Sequence, residues 1–212
     1  MQTEKGQSIE DASMQMIEDE IGTHQYNEKE WPIVRRVIHS TADFDFAGKN
    51  KIIFHKDAIE NAMSALRNGC SIIVDVNGVI GGLNKQNPKD FENNIICNIS
   101  NPKIMELAKK EGKTRSQVSM RAAISDIDGG VVAIGNAPTA LMEIIQMVKE
   151  GIKPALIIGI PVGFICAAES KEELSKLEGA PFITNIGRKG GSSSVSAIVN
   201  AIFKLIREKS AS

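Results

Sequence analysis

Two apolar runs, at 131–134 and 155–160, with a helical pattern between them, confine this chain to a narrow set of folds. The first run stops at Gly135. A turn, Asn136-Ala137-Pro138-Thr139, then leads into helical periodicity over 140–150. Gly151 closes that helix, as a residue free to take positive φ does. The second run ends in Pro161-Val162-Gly163. Strand, turn, helix and strand in this order are the βαβ signature. Strands without a polar face belong in a parallel sheet covered on both sides. The expected fold class is therefore α/β: a mostly parallel, doubly wound, Rossmann-like sheet with helices on both faces. One domain is expected over 1–212, with an N-terminal helical extension and a loose tail at 1–7.

The rest of the chain fits that scheme. Ile9, Met14, Met16, Ile17 and Ile21 space an amphipathic helix that Gly22 closes. Ser13 lies inside it, where a serine is ordinarily solvent-facing or bonded back to the chain. A second helix has Pro32 in its first turn. Strands are expected at 52–54, 71–76, 94–98 and 181–185. Helices are expected at 57–68, 101–110, 116–124, 171–177 behind a Ser170 cap, and after the 187–194 loop to about Arg207. The segment 77–82, rich in glycine, reads as a loop.

Several clusters could carry chemistry. In open α/β sheets, ligands lie outside the carboxyl ends of the strands. Gly135-Asn136 and Pro161-Val162-Gly163 are two such ends. Thr139 is an N-cap or first-turn residue, and the free N–H groups of its helix can hold an anion. Equally, these are the tight turns any such fold needs. Arg35, Arg36 and His39 fall within about one helical turn, with Arg35 and His39 expected on one face. They can meet carboxylates, or simply complement the helix macrodipole. Arg115, with Ser116, opens a helix against the macrodipole, which implies a partner for that cation. Arg188, Lys189, Gly190, Gly191 and Ser192 form a basic, glycine-rich loop before the last helix. Backbone N–H groups and two cations there suit an anion.

Much is excluded. There is no Walker loop, GxGxxG fingerprint, GxSxG elbow or HExxH pair. Cys70, Cys97 and Cys166 form no metal or disulfide pattern. Cys70 and Cys166, in apolar runs, read as inert core thiols. A net charge of −1 attracts neither nucleic acid nor anionic membrane. The N-terminus lacks a signal-peptide core, and no apolar run is long enough to span a bilayer. A soluble, cytoplasmic setting is expected. Of the three histidines, His24 and His55 read as surface or structural. His39 is the candidate for proton transfer near neutral pH. One imidazole, no metal site and many anion-binding groups suit isomerisation of a large polycarboxylate better than hydrolysis.

The segments AIGNAPTAL, PALIIGIPVGFICAAESKEEL and PFITNIGRKGGSSSVSAIVNAI together resemble the precorrin-8X methylmutases of corrin biosynthesis, including cobalt-precorrin-8 methylmutases. RRVIHSTADFDF, IEDASMQMI, SIIVDVNGVIGGLNK and the KTRSQVSM helix start match as well. The resemblance covers roughly 8–206. It implies an isomerase that moves a ring methyl group from C11 to C12 of a tetrapyrrole, without added cofactor; any cobalt belongs to the substrate. It implies His39 as the proton-transfer group and Ser13 and Arg36 as substrate contacts. Arg115, Ser116, Gly135, Asn136, Thr139, Val162, Gly163, Arg188, Gly190, Gly191 and Ser192 are further candidate substrate-binding positions. A homodimer with a shared site is also implied. The competing readings are a phosphate-handling α/β enzyme that uses 187–194, and a corrinoid-binding protein without catalysis.

Overall fold

The computed structural model describes residues 3–211. Six strands make one sheet: β1 (Ile52–Phe54), β2 (Ile72–Val74), β3 (Ile95–Ile96), β4 (Val131–Ile134), β5 (Leu156–Gly159) and β6 (Phe182–Asn185). Their order is β1-β6-β5-β4-β2-β3. Every pairing is parallel except β1 with β6. The α/β, mostly parallel expectation is met.

Helices are α1 (Glu4–Ile21), α2 (Glu30–Thr41), α3 (Ala58–Arg67), α4 (Asn77–Gly82), α5 (Gln86–Asp90), α6 (Pro102–Glu111), α7 (Arg115–Arg121), α8 (Ile124–Ile127), α9 (Pro138–Lys149), α10 (Ala167–Ser175) and α11 (Ser192–Ala211). Alternation along the strands splits the core in two. Ile72, Val74, Val131, Ala133, Leu156 and Ile158 face one layer, with Val37 of α2, Leu66 of α3 and Phe203 of α11. Ile73, Val132, Ile134 and Ile157 face the other, with Met120 of α7, Leu141 of α9 and Leu174 of α10. Both faces are dry, so both must be apolar, which is why the strands show no polar alternation.

Some expectations are corrected. The loose tail is shorter than 1–7: Thr3 caps α1, accepting from the Gly6 N–H, and helix begins at Glu4. Residues 1 and 2 lie outside the described residues. The run at 71–76 is strand only over Ile72–Val74, and that at 94–98 only over Ile95–Ile96. The glycine-rich 77–82 is helix, not loop, and α5 gave no sequence signal. The helix expected at 116–124 ends at Arg121, and a separate turn of helix, α8, follows.

Ser170 is no cap. α10 starts at Ala167 behind Cys166, whose φ of 60° is left-handed. Ser170 is buried inside the helix, its Oγ donating to the Ala167 carbonyl. Cys166 is exposed rather than in the core. Cys70 behaves as expected: burial pushes its thiol up to about 11.

Candidate active site

α1 lies along α2 because Ile17 buries between them and two ion pairs flank it. Glu18 accepts from Arg35 and, at 2.8 Å, from Trp31 Nε1. Glu10 accepts from Arg36 at 2.5 Å. Between these pairs, Ser13 Oγ sits 2.9 Å from His39 Nδ1. Ser13 is therefore neither solvent-facing nor back-bonded, as a mid-helix serine would ordinarily be. The bond holds the imidazole through Nδ1 and leaves Nε2 without a protein partner among the described residues.

His39 lines a hollow of about 620 Å³ over the outer side of α11. Arg36 and Glu10 line it from α2 and α1, and Asn200, Lys204 and Arg207 from α11. Arg35, expected on His39's face, turns to Glu18 instead; Arg36, three residues before His39, shares its hollow. Asn200, Lys204 and Arg207 were not singled out in the sequence. Their i, i+4, i+7 spacing on a helix whose other face is apolar was the signal available. Arg207 is held by Asp90 at 2.6 Å and lies over the Phe91 ring. Lys204 makes no ion pair among the described residues.

The other candidates fall into two groups outside that lining. At the carboxyl ends of β4, β5 and β6, the Gly163 N–H donates to the Arg188 carbonyl at 3.2 Å, and the Gly191 N–H to the Ile160 carbonyl at 3.0 Å. Val162, Gly163, Arg188, Gly190, Gly191 and Ser192 thus share one rim with Gly135 and Asn136. Gly135 packs against the backbone of Ser192, and a side chain at Gly190 would strike the Ile160 carbonyl. The Arg188 guanidinium lies 5.9 Å from the Phe164 ring centre. This rim adjoins the His39 turn, since Ser40 Oγ donates to the Ser193 carbonyl at 3.3 Å.

Arg115, Ser116 and Thr139 lie where α7 and α9 begin, with Thr114 Oγ1 donating to Thr139 Oγ1 at 3.1 Å. The partner anticipated for Arg115 is not an acid: Nη1 lies 3.8 Å from Met105 Sδ. Arg115 lines a separate hollow of about 600 Å³ with Lys109 and Lys113.

One anion cradle read from the sequence is filled from within the chain, and one of the two cations of the other is engaged. Asp75, fully buried, accepts from the N–H groups of Gly135 at 3.0 Å, Asn136 at 2.7 Å and Ala137 at 2.7 Å. Burial pushes its carboxyl up, while those three donors pull it down. Thr139 lies in the first turn of α9, as one of its two expected places; the N-cap is Ala137, and Pro138 occupies the first position. In the 187–191 loop, Lys189 Nζ reaches Asp43 and Asp45, each at 2.7 Å. His24, stacked on Trp31 with centroids 4.0 Å apart, is structural. His55 packs against Phe182. Among the described residues no group of three or more His, Cys, Asp and Glu could hold a metal ion. No helix among them is long and apolar enough to cross a membrane.

A mostly parallel sheet with a polar hollow on its covering helices, lined by a hydroxyl-anchored imidazole, defines a class: α/β proteins with a polar site built on the helices of one face. The sequence matches the family described as "CbiC: Precorrin-8X methylmutase" over residues 8–205, and the chain belongs to that family. It is 50% identical to the cobalt-precorrin-8 methylmutase of Priestia megaterium, over 94% of this chain and 88% of that one. It is 34% identical to the precorrin-8X methylmutase of Sinorhizobium sp, over 94% of each chain. The crystal structure of precorrin-8X methylmutase from Thermus thermophilus superposes with a TM-score of 0.88 at 34% identity, covering 96% of this chain and 98% of that one.

Proposed function

We propose that this protein is the isomerase that moves a methyl group from C11 to C12 of cobalt-precorrin-8 in corrin biosynthesis, with no cofactor of its own. Its cobalt-named relatives reach 50% identity, against 38% for the precorrin-8X methylmutase of Pseudomonas aeruginosa. That contrast favours the cobalt-bearing substrate. The observation that carries the reading of the site is the Ser13–His39 bond beside Arg36 in the hollow of about 620 Å³. As the bond from the methyl carbon to C11 breaks, its bond to C12 forms. A proton exchanged with the macrocycle through His39 Nε2 is returned before release, so no atom is gained or lost. Arg36 and Lys204 meet ring carboxylates, and the rigid hollow holds the ring in the reactive shape. The protein works in the cytoplasm as a homodimer.

The test is incubation with cobalt-precorrin-8 and, in parallel, with the metal-free ring. The absorption spectrum should change with no change in mass, faster for the cobalt form. His39→Ala should retain ligand binding and lose turnover by about 100-fold or more. Full turnover in that variant removes His39 from the mechanism. A spectrum that never changes leaves only a corrinoid-binding protein.

A further inference from the structure

Away from the His39 hollow, the buried ionisable group without an obvious purpose is Lys171 of α10. It is 1% exposed and has no carboxylate partner among the described residues. Burial brings its ammonium down to about 8. An ammonium without a counter-charge is costly to bury. Here Nζ donates to the Lys189 carbonyl at 2.7 Å and to Asn185 Oδ1 at 3.1 Å. The Asn185 amide donates to the same Lys189 carbonyl and to the Ile186 carbonyl, both at 3.0 Å. Two side chains from within the fold thus converge on the backbone of 186–189.

The Lys189 side chain leaves that backbone in another direction and reaches Asp43 and Asp45. Those two acids directly follow α2, whose last turn carries His39. The link between them, Ala42, is left-handed at φ 52°. An unbroken path therefore runs from the buried ammonium, through one carbonyl and one surface ammonium, to the end of the His39 helix.

We propose that Lys171 is a positioning residue: it fixes the 186–189 backbone in the shape from which Lys189 clasps Asp43 and Asp45, and the clasp sets the last turn of α2 and the His39 ring. The proposal rests on the reading of His39 as the proton-transfer group.

Its test uses the intact protein and the imidazole signals of its three histidines in proton–carbon NMR. His39→Ala identifies the His39 signal, and His24 serves as internal reference. In Lys171→Met, and separately in the Asp43→Asn/Asp45→Asn variant, the His39 signal should move while that of His24 stays. Turnover should fall about tenfold in each, with KM within about twofold. The triple variant should be no slower than either, because both changes break one path. Lys171→Arg, which keeps a cation, should recover part of the loss.

An unmoved His39 signal, unchanged turnover, or losses that multiply in the triple variant overturns the proposal. If Lys171→Met fails to fold, the Asp43→Asn/Asp45→Asn variant, which keeps an oxygen at Asp43 for the Asp45 N–H, decides alone. A fully active His39→Ala sinks the reading of the catalytic residue instead, whatever the signals do.

Discussion

Ser13 and His39, on different helices, share a hydrogen bond that fixes which imidazole nitrogen faces the hollow. Removing the hydroxyl leaves the ring free to turn and its Nδ1 unpaired. Ser13→Ala should slow turnover about fivefold, the equivalent of roughly 1 kcal/mol for one lost hydrogen bond, with KM little changed. Steady-state kinetics on the purified variant measure both constants, and a pure KM effect would assign Ser13 to ligand binding alone. From the residues themselves, His39 was legible because it was the one histidine set among arginines in an apolar-flanked helix. Ser13 had no independent signal, because its partner is supplied by the crossing of two helices and not by periodicity. The purpose of Arg36 was half visible: the cation was plain, but its pairing with Glu10 depends on the same crossing.

At the scale of elements, the central strands were readable because burial on both faces leaves them uniformly apolar. α4 was not, because its glycines mimic a loop. Their purpose is close approach: a Cβ at Gly82 would fall 2.2 Å from Ser196 Oγ, and one at Gly78 2.9 Å from Ser192 Oγ. At Gly82 the Ser196 Cβ, 2.8 Å away, also stands in the way, so the short helix lies on α11 there only without a side chain. Gly135 is more tightly bound by the same logic, since a Cβ would meet Ser192 Cα at 2.9 Å and its backbone nitrogen at 3.0 Å. Backbone cannot rotate aside as a hydroxyl can. Gly135→Ala should therefore cost about 1–3 kcal/mol by forcing α11 away from β4. Thermal or urea unfolding of the variant gives the value. Stability equal to the parent would mean that α11 can shift freely, and the rigid rim described above would not stand.

For the whole molecule, the proposed homodimer has a visible motive. Phe164 is 85% exposed and Ile165 83%, on the rim loop beside Arg188. An exposed apolar pair of that kind is what a second copy would cover in the proposed dimer. Sedimentation should find the parent dimeric and a Phe164→Glu/Ile165→Glu variant monomeric at micromolar concentration. A dimeric variant would move the interface elsewhere. Asp75 carries a consequence for selectivity. At the middle of the sheet, the turn most like a receptor for inorganic anions is already filled by a carboxyl group of the chain, tied in by three amides. Free phosphate, sulfate or a nucleotide tail meets no open berth there. At that turn, discrimination against small anions is in place before any substrate arrives.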